Sequence, residues 1–235
     1  MFKVKNNTSN SIDTCSTCVR QNDCIVCKIK KYSINLKPVH SQLFRANDNI
    51  FRVGDKLENL YVIKSGSVKT FTSNQIGEEQ ILNFYGPGDI LGLDGLTTNE
   101  HTSSALSLET SSACAVPLYK LEEAFEQLVP RWLIQYAMDK LKQESKNINL
   151  LGKKNANTRI ASFLLKLSEN QRLLGCSETE FDLSMSRDDI GNYLGLASET
   201  VSRTLTSMSK NGCVRLDRRH IKIMDTQHLQ MLSES

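Results

Sequence analysis

The chain has 235 residues, of which 39% are hydrophobic and 23% charged, enough to bury one large core or two small ones and unlike a disordered chain. No apolar run approaches a membrane span, and the polar start MFKVKNNTSNSIDTCSTC lacks the apolar stretch of a secretory leader, so a cytoplasmic protein with no membrane partner is expected. Seven cysteines, an odd number, argue against a disulfide framework and for thiols or metal ligands in a reducing compartment, while a net charge of +3 says little until its placement is read.

Placement is informative. Residues 1–35 carry six basic side chains (Lys3, Lys5, Arg20, Lys28, Lys30, Lys31) against Asp13 and Asp23, together with Cys15, Cys18, Cys24 and Cys27. From about residue 40 to 120, short apolar runs such as Leu60–Ile63 and Val68–Phe71 are punctuated by Gly54-Asp55, Ser65-Gly66, Gly77 and Gly86-Pro87-Gly88-Asp89. Turn signals at that spacing predict a small β domain of the sandwich or barrel type.

The texture changes near Leu121. Arg131 to Leu151 runs without Pro or Gly, and Gly152 stands where a helix would stop. Ile134, Leu141 and Ile148 are seven apart, and Ala137, Glu144 and Leu151 fill the second heptad position. This is a seam of three heptads suited to a dimer, with one carboxylate in it. From periodicity alone, packing of the helix on its own β domain is an equal alternative. A second helix follows, with Ile160, Phe163, Leu164 and Leu167 on one face.

Two short helices come next. Ser186 is expected as an N-cap, with Asp189 three residues on as an acidic variant of the capping box and Gly195 as the stop. Ser198 is expected to cap a further helix that ends at Asn211-Gly212. Helix, short glycine-containing turn, helix is the helix-turn-helix plan. Val214–Leu216, a polar turn at Asp217-Arg218-Arg219, and Ile221–Ile223 then predict a β-hairpin wing. Residues 186–222 hold seven basic against four acidic side chains, with His220 beside them.

On the second of these helices Glu199, Ser202 and Arg203 stand at i, i+3 and i+4 and share a face near its start. Arginine can donate twice to guanine, glutamate can accept from cytosine, and serine can contact either. Ser198, Thr200, Thr204 and Thr206 supply short hydroxyls for phosphates and groove edges, and Arg218 and Arg219 in the wing would contact the backbone. The competing reading is an exposed helix with an i,i+4 Glu–Arg pair worth a few tenths of a kcal/mol. Spacing, wing and local charge together favour double-stranded DNA.

The stretch SRDDIGNYLGLASETVSR, residues 186–203, resembles the helix-turn-helix of the bacterial family that contains the cyclic-AMP receptor protein and the fumarate and nitrate reduction regulator, FNR. DIGNYLGL with ETVSR is specific to the FNR branch, and the resemblance extends over nearly the whole chain. It implies an α+β protein: a Cys-rich iron–sulfur sensor segment at 1–33, a cyclic-nucleotide-binding-like β-roll at 34–125, a dimerisation helix at 126–153 and a winged helix-turn-helix DNA-binding domain at 154–235. It further implies a homodimer that reads palindromic TTGAT-type half-sites through Glu199, Ser202 and Arg203, with RNA polymerase as a partner. Ser198 departs from the valine common in FNR proper.

What gates such a protein is a separate question, because fold does not give ligand. In the family, a nucleotide phosphate is held by a glutamate after the Gly-Asp turn and by an arginine next to a small residue. Here those stretches read Leu91-Gly92-Leu93-Asp94-Gly95 and Thr102-Ser103-Ser104-Ala105, with Ser103 at the arginine position and no Lys or Arg between Lys69 and Lys120. No cyclic nucleotide is therefore expected.

Cys15-x2-Cys18-x5-Cys24 has the ligand spacing of FNR-type iron–sulfur sensors, and Cys114 in LETSSACAVP stands where the resemblance puts a distant fourth ligand. Four thiolates suit a 4Fe-4S cluster, and the family mechanism implies that oxygen degrades it, loosening the dimer and releasing DNA. Cys27 leaves an alternative open: two C-x2-C pairs can close a zinc site, although five residues between them is short for paired zinc knuckles. Cys27 is otherwise a spare or alternate ligand. A CxxC thiol oxidoreductase is the third reading, without the βαβ surroundings that such enzymes have. Cys176 and Cys213 read as small packed hydrophobes, the four histidines show no metal spacing, and no catalytic constellation is present, so no enzyme is expected.

Overall fold

The computed structural model describes residues 24, 26–27, 41–119, 121, 131–152 and 155–234. They fall in two compact units, one holding those up to Val68 and from Phe84 to Leu121, the other those from Lys69 to Asn83 and from Arg131 on.

The roll draws most of its strands from the first unit and the hairpin Lys69–Asn83 from the second. Strands β1 (Ser41–Phe44), β2 (Asn49–Phe51), β3 (Asn59–Ser65), β4 (Val68–Ser73), β5 (Glu79–Tyr85), β6 (Ile90–Leu91), β7 (Ser104–Ser107) and β8 (Ser111–Pro117) form two four-stranded sheets, ordered β1-β8-β3-β6 and β2-β7-β4-β5. The recurrent glycines have the physical role their spacing suggested. Gly54, Gly66, Gly77 and Gly88 all have φ between +82° and +95°, a left-handed turn conformation that a Cβ disfavours. Between the turns, Ile50, Phe51, Ile63, Val68, Leu91 and Ala105 close a buried core against Phe44, Tyr61 and Tyr85. In β8, Ala113 on one face and Cys114 and Val116 on the other are all buried, so both faces of this strand are covered.

In the second unit the seam helix α1 is Arg131–Leu151, the span predicted from the Pro- and Gly-free run. Helix α2 (Ala156–Leu173) is capped by Asn155, whose Oδ1 accepts from the Thr158 N–H at 2.7 Å, and it buries Ile160, Phe163 and Leu164. Helices α3 (Arg187–Leu194) and α4 (Ser198–Lys210) follow, then β10 (Val214–Asp217), β11 (His220–Ile223) and α5 (Thr226–Glu234). The wing gains a third strand that the sequence pattern did not show, β9 (Glu180–Asp182), in the order β10-β11-β9. Helix α5, also missed, packs on α2 with Leu229 fully buried. No helix among the described residues is long and apolar enough to cross a membrane.

Candidate nucleic-acid interface and sensor residues

The reading head is built by local chemistry at both helix ends. Ser186 caps α3 through its Oγ, which accepts from the Asp189 N–H, while the Asp189 carboxylate reaches back to the Ser186 N–H at 3.0 Å. Both halves of the capping box are present, contributing about 0.5–2 kcal/mol. At the other end Gly195 adopts the left-handed conformation, with φ +63°, and Arg159 Nη1 donates to the Leu194 carbonyl at 2.8 Å. The turn is tight: a Cβ on Gly191 would lie 2.5 Å from the Leu196 carbonyl oxygen. Only a residue without a side chain lets α3 close on the segment that starts α4.

Helix α4 begins one residue differently from expectation. Ser198 is its first helical residue, and the cap position is Ala197, which makes no side-chain cap bond. Val201, Thr204, Leu205 and Met208 face the core. Thr204 is thereby removed from the set of groove-facing hydroxyls, because the helical repeat places it with the apolar stripe. Glu199, Ser202 and Arg203 are exposed on the opposite side, and Ser198 and Thr200 lie partly exposed beside them. The Arg203 Nη2 stands 3.5 Å from Thr200 Oγ1, and no ion pair ties it to Glu199 among the described residues. The i,i+4 pair that would have made this face merely a solvated surface is not formed.

In the wing, Arg218 holds a left-handed turn position, with φ +53°, and both Arg218 and Arg219 are exposed. The Arg218 carbonyl accepts from Arg187 Nη2 at 3.1 Å, and Arg219 Nη1 donates to the Ser184 carbonyl at 3.4 Å. Burial and the neighbouring Arg219 charge push the Arg187 pKa down, a further sign of concentrated positive charge at this corner. Behind it, His220 Nδ1 meets Asp182 at 2.8 Å, His220 Nε2 meets Glu180 at 3.1 Å, and Lys222 donates to Glu180 at 2.9 Å. The Asp182 and Glu180 bonds raise the His220 pKa. Its carboxylate partners come from β9, which the sequence pattern did not show.

The corner of the roll that corresponds to a phosphate site is internally bonded. Asp94 Oδ2 accepts from the Thr102 and Ser103 N–H groups, each at 2.9 Å, and from their hydroxyls at 3.1 and 2.9 Å. Burial raises the Asp94 pKa, but the Ser103, His101 and Thr102 bonds outweigh it and the net shift is downward. His101 is buried, stacked on Phe51 with ring centroids 3.6 Å apart, and its Nδ1 is 3.5 Å from Asp94 Oδ1. It is a packed histidine.

Of the sulfur candidates, Cys15 and Cys18 lie outside the described residues. Cys24 and Cys27 are partly buried and flank Val26, which is 0% exposed. Cys114 is 8% exposed, in β8 opposite Ser41 of β1 and Val62 of β3. Cys213 is buried, with burial raising its thiol pKa, whereas Cys176 is exposed rather than packed as expected. No group of three or more His, Cys, Asp or Glu side chains is placed to hold a metal among the described residues. Of the seam residues, Ile134 and Leu141 are 53% and 61% exposed, with Ala137 exposed between them. The side chains of Glu144, Ile148 and Leu151 lie outside the described residues, although their backbone belongs to α1.

Comparison with known proteins agrees with these two halves. The cyclic nucleotide-binding domain matches residues 41–128, and the Crp-like helix-turn-helix domain matches residues 158–232. The chain is 41% identical to the transcriptional activator protein Anr of Pseudomonas protegens over 186 residues, which covers 78% of this chain and 76% of that protein. It is 38% identical to the anaerobic regulatory protein of Haemophilus influenzae over 182 residues, covering 77% and 71%. The solved structure of FixK2 from Bradyrhizobium japonicum superposes with a TM-score of 0.74 at 32% identity, covering 83% of this chain and 98% of that one.

Proposed function

Because the chain belongs to the CRP/FNR family of transcription regulators, we propose that it is an oxygen- or redox-responsive regulator whose thiolate-held iron–sulfur cluster controls dimerisation and DNA binding. At the coarser level, it is a DNA-binding transcription regulator of anaerobic control, rather than an enzyme. The observation that carries the finer reading is the pairing of an unobstructed reading face with a roll whose phosphate corner is closed on itself. Glu199, Ser202 and Arg203 project from α4 without internal ion pairing, while Asp94 engages Thr102 and Ser103 where a nucleotide would need a cation. The signal then has to enter through other groups, and the cysteines are the ones with suitable chemistry.

The donor set fits a 4Fe-4S cluster in kind. Cys15, Cys18 and Cys24 would supply three soft thiolates from one short segment, and Cys114 a fourth from a strand covered on both faces. When bound, such a cluster supplies a redox-labile inorganic core. The chain's part is to keep water from the sulfurs: Val26 is fully buried between Cys24 and Cys27, and Cys114 is nearly so. The basic side chains near the N-terminus would offset the negative charge of the thiolates. In the dimer, Ile134, Ala137 and Leu141 of α1 would find in a second copy the apolar contact they lack in one chain. Arg203, Glu199 and Ser202 would read base edges of a TTGAT-type half-site in the major groove, with Ser198, Thr200, Arg218 and Arg219 on the phosphates.

The test is the visible spectrum with the iron and sulfide content of protein purified without oxygen, followed by DNA binding before and after admission of air. A brown protein with roughly four irons per chain that loses DNA affinity in air supports the proposal. Cys15→Ser, Cys18→Ser, Cys24→Ser and Cys114→Ser should each abolish the cluster, and Cys27→Ser should be much milder. A colourless protein with bound zinc would replace it by a zinc-gated regulator of the same fold, and a metal-free protein with dithiol turnover by a thiol oxidoreductase.

A further inference from the structure

One polar side chain of α3 is bonded to a strand. Asn192, on α3, donates from Nδ2 to the Glu79 carbonyl at 2.6 Å and accepts at Oδ1 from the Ile81 N–H, also at 2.6 Å. Glu79 and Ile81 are two apart on β5, the terminal strand of its sheet, so these are edge groups that a neighbouring strand would otherwise take. The Asn192 amide thus imitates one rung of a β-ladder, and Gln80 Nε2 returns a bond to the Asn192 carbonyl at 3.2 Å.

Two further ties reinforce it. Asp189 places Oδ2 in the capping box and Oδ1 2.9 Å from Lys69 Nζ on β4, with side-chain exposures of 17% and 13% for the pair. Burial lowers the Lys69 pKa, but the Asp189 bond and charge, with help from Glu79, raise it net; the pair is charged at neutral pH. Lys166 on α2 joins Asn83 Oδ1 at 3.2 Å to the Tyr193 hydroxyl at 3.0 Å. The hairpin from Lys69 to Asn83 is therefore bolted to α3 at both strands, while Glu199, Ser202 and Arg203 stay exposed. A contact that leaves the reading face open is not a block. It is a brace.

We propose that Asn192, supported by the Lys69–Asp189 bridge, is a positioning residue that fixes α3 and hence α4 against the β4–β5 hairpin, and so sets the half-site spacing the protein accepts. The proposal rests on the reading of palindromic DNA by a dimer given above. In a symmetric dimer the distance between recognition helices has to match the distance between half-sites, so a loosened brace degrades spacing before it degrades base reading.

The test uses full-length protein purified without oxygen, as wild type, Asn192→Leu and Lys69→Met. Affinity is measured by fluorescence anisotropy on duplexes with the preferred spacer, with one base pair added or removed, and on a duplex carrying one half-site. The wild type should discriminate among spacers. Asn192→Leu loses two hydrogen bonds and should weaken binding at the preferred spacing by about tenfold, with half-site affinity within about twofold of wild type, flattening the spacing profile. Lys69→Met should flatten it in the same direction, and decides the matter if Asn192→Leu does not fold. An unchanged spacing profile in a folded variant overturns the proposal, and so does equal loss on palindrome and half-site, which would make Asn192 only a stabiliser of the fold. If wild type itself binds two half-sites no better than one, dimeric reading fails and the proposal falls with it.

Discussion

Replacing Arg203 with alanine tests the reading head directly, and its effect can be bounded from the structure. The Arg203 guanidinium is exposed, its one hydroxyl contact is 3.5 Å long, and no ion pair with Glu199 has to be broken before it reaches a base. Little is therefore subtracted from the value of a bidentate guanine contact, about 1–3 kcal/mol. A dimer loses the contact twice, at sites too far apart to couple, so the palindrome should weaken by about 2–6 kcal/mol, or roughly 30-fold to more than 10,000-fold. Folding stability should hardly move, because an exposed Arg→Ala change within a helix stays within about 0.5 kcal/mol. Arg218→Ala is the matched control. Both residues have a Cβ, so the strain at its φ of +53° is unchanged, and what is lost is charge alone. It should weaken cognate and scrambled DNA alike and lower the salt slope by about one per chain. Anisotropy titrations at several salt concentrations separate the two patterns. Equal loss on cognate and scrambled duplex for Arg203→Ala would refute base reading by that side chain.

In the roll, Gly66→Ala should cost about 2–5 kcal/mol in chemical denaturation, since a Cβ at φ +82° would press on Ser111, with Ser111 Cα at 2.7 Å; a loss below about 1 kcal/mol would show that the turn can relax. His220, raised above its ordinary pKa of 6.5 by Asp182 and then Glu180, gives the wing a charge-assisted stabilisation that is complete below pH 6.5 and lost as pH climbs through the raised value. DNA affinity should accordingly fall across that window more steeply in wild type than in His220→Gln, and parallel curves would dismiss the idea. Glu144 occupies a heptad position with Ala137 and Leu151, where a dimer brings two carboxylates together at a cost of several kcal/mol. Glu144→Leu should give a cluster-free dimer that binds DNA in air; sedimentation showing it as monomeric as wild type would require a different seam.

The elements that local rules could specify were the ones the sequence revealed. Ser186, Asp189 and Gly195 delimit α3 through cap chemistry that acts within a few residues, and the left-handed glycines mark the turns of the roll for the same reason. The errors came where partners lie far apart in sequence. β9 is three residues long, too short to show alternation, and exists because β11 pairs with it. Helix α5 has little beyond Leu229 to mark a buried stripe until α2 is placed beneath it. Thr204 was grouped with its fellow hydroxyls by residue type, while its position at i+3 from Val201 assigned it to the core. Asn192 was invisible for a deeper reason: a polar residue on a short helix looks solvated until a strand edge more than a hundred residues away is brought to it. Of the candidate site, the α4 face could be read from helical spacing, whereas the brace behind it could not.

The proposal that no cyclic nucleotide gates this roll can be taken one step beyond the missing arginine. A phosphate arriving at this corner would compete for the N–H and hydroxyl donors of Thr102 and Ser103, all four of which already serve one oxygen of Asp94. Hydrogen bonds to a charged group are worth about 1.5–3 kcal/mol each, less where solvent reaches Asp94, so surrendering even two would cost several kcal/mol. The incoming anion would also meet a carboxylate whose pKa is held down, and which therefore stays ionised at neutral pH. Between Lys69 and Lys120 no Lys or Arg is present to reverse the sign of the field. Neutralising Asp94 does not help, because Asp94→Asn leaves the donors partly engaged and still provides no cation. Restoring a phosphate site would need an arginine at position 103, where Ser103 is buried and the space is taken. The same four bonds hold the segment that leads directly into β7.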